Sequence, residues 1–137
     1  MVMLDDELGQ LYAQALLAIA FVDGEIGPEE GARLAELVAV RTTVAIDHEA
    51  SFFHKVTSDE LAQAFANRSG GAYRTTGAAV SARDLGRALV HDAVALATCD
   101  GDLNGREAEA ILRYARALGC TSADIRGETN ALDEWLH

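Results

Sequence analysis

The chain has 137 residues, half of them apolar, and carries 22 acidic against 11 basic side chains for a formal net charge of −11. That size and apolar share suit one domain with its own core. The charge repels phosphate backbones and anionic headgroups, so nucleic acid and bare membrane are poor partners. Cations, basic protein patches or a merely solvated acidic surface remain.

Acids at 5, 6 and 7 open the chain, where a secretory leader needs a basic start and an apolar run; none is expected. Leu8, Leu11, Tyr12, Ala15, Ile19 and Val22 then recur at helical spacing, and Leu16, Leu17 and Ala20 widen the stripe. The spacing predicts a central, buried helix that stops at Asp23-Gly24, where glycine can adopt the left-handed conformation. Its most apolar stretch, Ala15 to Val22, is too short to span a bilayer, so direct membrane insertion is not expected. Gly27 can cap a second helix, Pro28 fits its first position, and Glu29 and Glu30 suit the positive end of its dipole. Leu34, Leu37 and Val38 give it an inner face.

Asp47 can cap a short helix through Phe52 and Phe53. Thr57-Ser-Asp-Glu60 is a capping box ahead of a helix carrying Leu61 and Phe65. The glycine-rich stretch Ser69 to Gly77 reads as a loop, with no lysine or spacing for phosphate. Ser81-Ala-Arg-Asp84 caps the next helix, whose stripe is Leu85, Leu89, Ala93, Leu96 and Ala97 and which ends at Asp100-Gly101. Asn104 caps another, with Ile111, Leu112, Tyr114 and Leu118 inward and Gly119 at its end. The tail from Thr121 to Leu136 is expected to form one or two short helices docked by Ile125, Leu132, Trp135 and Leu136.

Shifting the chain by 77 residues places Asp23 on Asp100. Ala18/Ala95, Ala20/Ala97, Gly24/Gly101 and Glu30/Glu107 are then identical, and Glu25/Asp102, Ile26/Leu103 and Leu34/Ile111 are conservative. The sequence therefore predicts an all-α fold: one domain over 1–137, a compact helical bundle of two pseudo-symmetric helix, Asp-Gly turn, helix units at about 8–40 and 82–119. Two hairpins that each expose an apolar face would pack together.

An Asp at a helix C-terminus sits at the wrong end of the dipole, a cost of roughly 0.3–1 kcal/mol where exposed. The chain does this twice, so local N–H groups or a cation should offset it. With Gly24 as sixth position of an EF-hand loop, Asp23 falls on the fifth, Ile26 on the eighth and Glu30 on the twelfth, and the second turn repeats the match. The first and third positions, however, are Ile19 and Phe21, or Leu96 and Thr98, so each turn supplies about half the ligands. Candidate metal ligands are Asp23, Glu25, Glu30, Asp100, Asp102 and Glu107, for weak calcium, magnesium or manganese at most. Against this, Glu at the third position of a helix commonly reaches back to the cap, and Asp before Gly is ordinary turn chemistry.

Val22-Asp-Gly-Glu-Ile-Gly-Pro-Glu-Glu30 and Cys99-Asp-Gly-Asp-Leu-Asn-Gly-Arg-Glu107 resemble the paired signature of TerB-like domains. The resemblance spans about residues 8–118; the segment from Arg41 to Val80 carries no motif. It implies a pseudo-two-fold helical fold like that of the tellurite-resistance protein and the N-terminal domain of the co-chaperone DjlA. It further implies an acidic surface suggested to bind metal, a role in bacterial stress response, and no catalysis.

His48, His54, His91 and His137 form no HxxxH pair, and no nucleophile elbow, P-loop or dinucleotide fingerprint is present. His91-Asp92 reads as a solvated pair on a helix surface. Cys99 and Cys120 make no CxxC and read as reduced core residues of a cytoplasmic protein. The sequence thus favours a non-catalytic cation- or partner-binding module, its partner a protein with a basic patch, with a homodimer also compatible. The alternatives are a metal-assisted hydrolase-like helical enzyme, which needs a concave pocket at the carboxylates, or a purely protein–protein interaction domain of co-chaperone type.

Overall fold

A computed structural model describes residues 2–23, 28–42, 56–67, 72–99, 101 and 103–136, with only the backbone of Asp6 and Asp23. Helices dominate. They are α1 (Asp6–Ala20), α2 (Pro28–Arg41), α3 (Ser58–Asn67), α4 (Ala82–Ala97), α5 (Gly105–Ala117) and α6 (Ser122–Glu128). Short 3-10 turns follow α1 (Phe21–Asp23) and close the tail (Asp133–Trp135).

The expected caps at Thr57, Ser81 and Asn104 are in place, those expected at Gly27 and Asp47 lie outside the described residues, and Asp5 and Thr121 add two more. Asp5 accepts from the Leu8 N–H, Thr57 Oγ1 from Glu60, and Asn104 Oδ1 from Glu107. Ser81 with Asp84 and Thr121 with Asp124 form reciprocal capping boxes. Pro28 opens α2 as its fixed φ favours, and Gly119 takes φ +91 just past α5. The Asp124 carboxyl also receives the Arg83 guanidinium, and that pairing together with the Thr121 N–H holds it well below the usual carboxylate range.

The offset that aligns the two sequence units also aligns their elements. Both first helices end on the matched alanines Ala20 and Ala97, and both second helices begin at the matched residues Pro28 and Gly105. Ile19 and Leu96 are both buried, as are Leu16, Leu89, Leu34 and Ile111. Packed against each other, α1 and α4 form the centre; α4 also packs on α2, α3, α5 and α6.

One glycine per unit makes that packing possible. A Cβ at Gly9 would lie 2.9 Å from Thr42 Oγ1 and 3.1 Å from its Cβ; one at Gly86 would lie 2.6 Å from Cys120 Sγ and 3.1 Å from the Leu118 Cβ. In each case the first helix lets the chain leaving the second helix cross at close range. Gly9→Ala and Gly86→Ala should each destabilise the fold in a urea melt. Overpacking costs about 1–3 kcal/mol and outweighs the roughly 1 kcal/mol that alanine gains in a helix. Unchanged midpoints would show that the helices separate freely.

The structure departs from the sequence expectation in three places. The stretch expected to be loop contains a strand, β2 (Ala72–Arg74), antiparallel to β1 (Val2–Leu4) with Leu4 opposite Ala72 and Val2 opposite Arg74. Each strand is three residues long and its partner lies some seventy residues away, so no local periodicity announces it; burial of Val2, Leu4 and Ala72 stabilises it. Cys99 is exposed, because α4 ends at Ala97 and the chain turns before the helical stripe would carry residue 99 inward; Cys120 is buried as expected, and burial pushes its thiol up to about 11. Asp92 is 2% exposed, not solvated. The expected helix at 47–53 lies outside the described residues.

The tail behaves as read. Ile125, Leu132 and Leu136 are buried and Trp135 packs against the core. No helix among the described residues is long and apolar enough to cross a membrane.

Candidate functional site

The two acidic turns are entered and left alike: a buried helix ends, its last carbonyls accept from the residue just beyond it, and a second helix starts at Pro28 or at Gly105. After α1 the Phe21 N–H bonds back to Leu17 and Ile19, and the chain continues as a 3-10 turn through Asp23. After α4 the Thr98 N–H bonds back to Val94 and Leu96, with the Thr98 hydroxyl donating to the Val94 carbonyl at 2.7 Å. Neither helix carries a basic residue in its last turn to offset the negative dipole end.

Of the six candidate ligands, Glu25, Asp100 and Asp102 lie outside the described residues, and Asp23 is placed by its backbone alone. Glu30 and Glu107 occupy the same position, the third residue of α2 and of α5. They differ in burial: Glu30 is half-buried and Glu107 only 5% exposed. Neither residue is without a partner. The 3-10 segment bearing Asp23 packs against α5, the helix that the second turn launches. Among the described residues no three His, Cys, Asp or Glu side chains group as a metal cage.

Beside the first turn lies a cleft of about 410 Å³ between the end of α1, the start of α3 and the middle of α5. Val22, Asp59, Arg113 and Tyr114 line it, and among its described lining residues Asp59 is the single carboxylate. The Tyr114 hydroxyl donates to the Val56 carbonyl, and burial pushes its pKa up to about 12, so it is a fixed structural donor.

The family model described as tellurite resistance protein TerB matches residues 10–128, from within α1 to the last residue of α6, and so takes in both units and both turns. The chain belongs to the TerB family. No curated protein and no solved structure matches it.

Sequence reasoning missed one polar centre of this TerB-family chain. Arg41, the last residue of α2, donates Nε and Nη2 to the two oxygens of Asp92 and Nη1 to the Val2 carbonyl at 3.1 Å. The Tyr12 hydroxyl donates to Asp92 Oδ2 at 2.5 Å, and His91 Nδ1 lies 3.2 Å from Asp92 Oδ1. Burial pushes the Tyr12 phenol well above its ordinary range and the Asp92 charge adds to that push. Burial works against the Arg41 charge, but the Asp92 hydrogen bond and neighbouring negative charge outweigh it and hold the guanidinium charged. The network ties β1, α1, α2 and α4 together and has the geometry of a clamp rather than of a reactive site.

A signal for it existed. Asp92 is seven residues beyond Leu85 and four before Leu96, which puts it on the buried stripe, and its partner under the repeat is Ala15, itself fully buried.

Proposed function

We propose that this TerB-family chain is a non-catalytic module of a bacterial tellurite-resistance-type stress response, working in the cytoplasm. Its two Asp-Gly turns would be where it meets a divalent cation or a basic patch on another protein. One observation carries the reading: the Asp-Gly-acid sequence occurs twice, between helices that end and restart in register in the two units. A packing requirement alone would be met by any polar turn, and would not call for an Asp-Gly pair three residues beyond the end of each first helix.

The candidate ligands are Asp23, Glu25, Glu30, Asp100, Asp102 and Glu107. Carboxylate oxygens suit hard cations such as calcium, magnesium or manganese, and the missing first and third loop positions keep affinity low. The hydrolase-like alternative needs several carboxylates in a concavity; the cleft beside the first turn offers Asp59 among its described lining.

The double variant Asp23→Asn, Asp100→Asn tests the proposal. Asparagine keeps the turn preference and an acceptor oxygen while removing the charge. The variant should fold, with stability without cation unchanged or raised by about 0.3–1 kcal/mol per site. It should lose the rise in melting temperature that the parent shows at millimolar calcium or manganese, and should fail to support survival under tellurite. A variant that responds to cations and supports survival like the parent would remove the turns as the functional site.

A further inference from the structure

We propose that the cleft between the strand pair, α4 and the end of α6 binds a small molecule bearing a phosphate group. The cleft has a volume of about 400 Å³. Arg41, Arg74, Arg87 and His91 line it together with Asp84 and Glu128. Three of the eleven basic side chains of a strongly acidic chain thus converge on one concavity.

The donors are held in place but not used up. Arg74 gives Nη2 to Asp84 at 2.6 Å, and Arg87 gives Nε to Glu128 at 2.8 Å. Among the described residues, the other N–H groups of these two forks carry no hydrogen bond. His91 has Nδ1 on Asp92, which leaves Nε2 open on a side chain that is 60% exposed. Arg41 spends its donors on Asp92 and Val2 and contributes position rather than contacts.

Guanidinium forks match the oxygens of a phosphate, and a tetrahedral dianion can use more donors from several directions than a single carboxylate can. The volume is at the lower end for small-molecule sites and larger than phosphate alone requires. Val2 and Ala88 supply an apolar wall beside the forks, which suits the organic part of a phosphate ester.

The overall charge of −11 opposes any anion at long range, so saturable binding here would need the local forks. Screening limits that opposition to about 10 Å at 0.1 M salt. Asp84 and Glu128 orient the forks and compete for them, so binding should be weak and sensitive to either carboxylate. The site is separate from the acidic turns: Arg87 and Ala97 stand about 15 Å apart along α4 at the helical rise.

The test is an amide NMR titration of the full chain with inorganic phosphate and with phenyl phosphate, ionic strength being matched with chloride. Saturable shifts at Arg74, Arg87, Ala88 and His91 are expected, with phenyl phosphate the tighter ligand. Arg87→Gln should weaken both by about tenfold or more. Glu128→Gln should tighten both, because it frees the Arg87 fork; a purely structural ion pair would give no such gain. Asp23→Asn, Asp100→Asn should leave this binding unchanged, which separates the inference from the reading of the turns. Absence of saturable shifts, equal shifts with chloride alone, or unchanged affinity in both Arg87→Gln and Glu128→Gln would overturn the site. Inorganic phosphate binding as tightly as the ester would overturn the assignment to an organic phosphate.

Discussion

Asp92→Ala is expected to destabilise the protein by about 3–5 kcal/mol, the range for removing one member of a buried ion pair. The side chains of Arg41 and Asp92 are 11% and 3% exposed, so water replaces little of what is lost. The Arg41 charge would stay buried with one carbonyl for company, and the Tyr12 hydroxyl would lose its acceptor. Tyr12→Phe removes only one hydrogen bond and should cost less, about 1–3 kcal/mol. The double change Arg41→Met, Asp92→Leu should recover much of the Asp92→Ala loss, because it removes both charges and fills the space. Urea unfolding of the four proteins checks this. A loss under about 1 kcal/mol for Asp92→Ala would mean that the clamp is not formed in solution.

Leu96→Ala should cost about 2–5 kcal/mol, and Ile19→Ala a comparable amount. The two residues occupy matched positions in the repeat, each 1% exposed, on the two central helices. Truncation opens a cavity that neighbours on several helices cannot all collapse to fill. Similar losses at both sites would show that the two units contribute comparably to one core. An unchanged melting temperature for Leu96→Ala would mean that this face of α4 is not packed as described.

Much of the fold was legible because its signals are local. Helical stripes, the box at Ser81, the caps at Thr57 and Asn104 and the Gly119 terminator each act within a few residues, and all are found where expected. The repeat was legible too, and the structure sharpens it: Gly9 and Gly86 are also a matched pair, with a shared packing reason that sequence alone does not reveal.

What was not legible depends on partners far along the chain. The β1–β2 pair joins the first residues to residues 72–74. Asp92 looks like half of a surface pair until Arg41, fifty-one positions away, is brought to it. Charge next to histidine suggested solvent, whereas position on the stripe indicated burial, and position prevailed because a partner was available. The candidate site is legible as residues rather than as geometry. Its turns follow from sequence, and the matched starts of α2 and α5 place Glu30 and Glu107 equivalently.

The central claim, that the two acidic turns act as one functional site, is tested most directly by an amide NMR titration with calcium. The account predicts saturable shifts at millimolar cation, confined to residues 23–30 and 100–107 and following one binding curve at both turns. Shifts at one turn only, shifts elsewhere on the acidic surface, or none that saturate would contradict it.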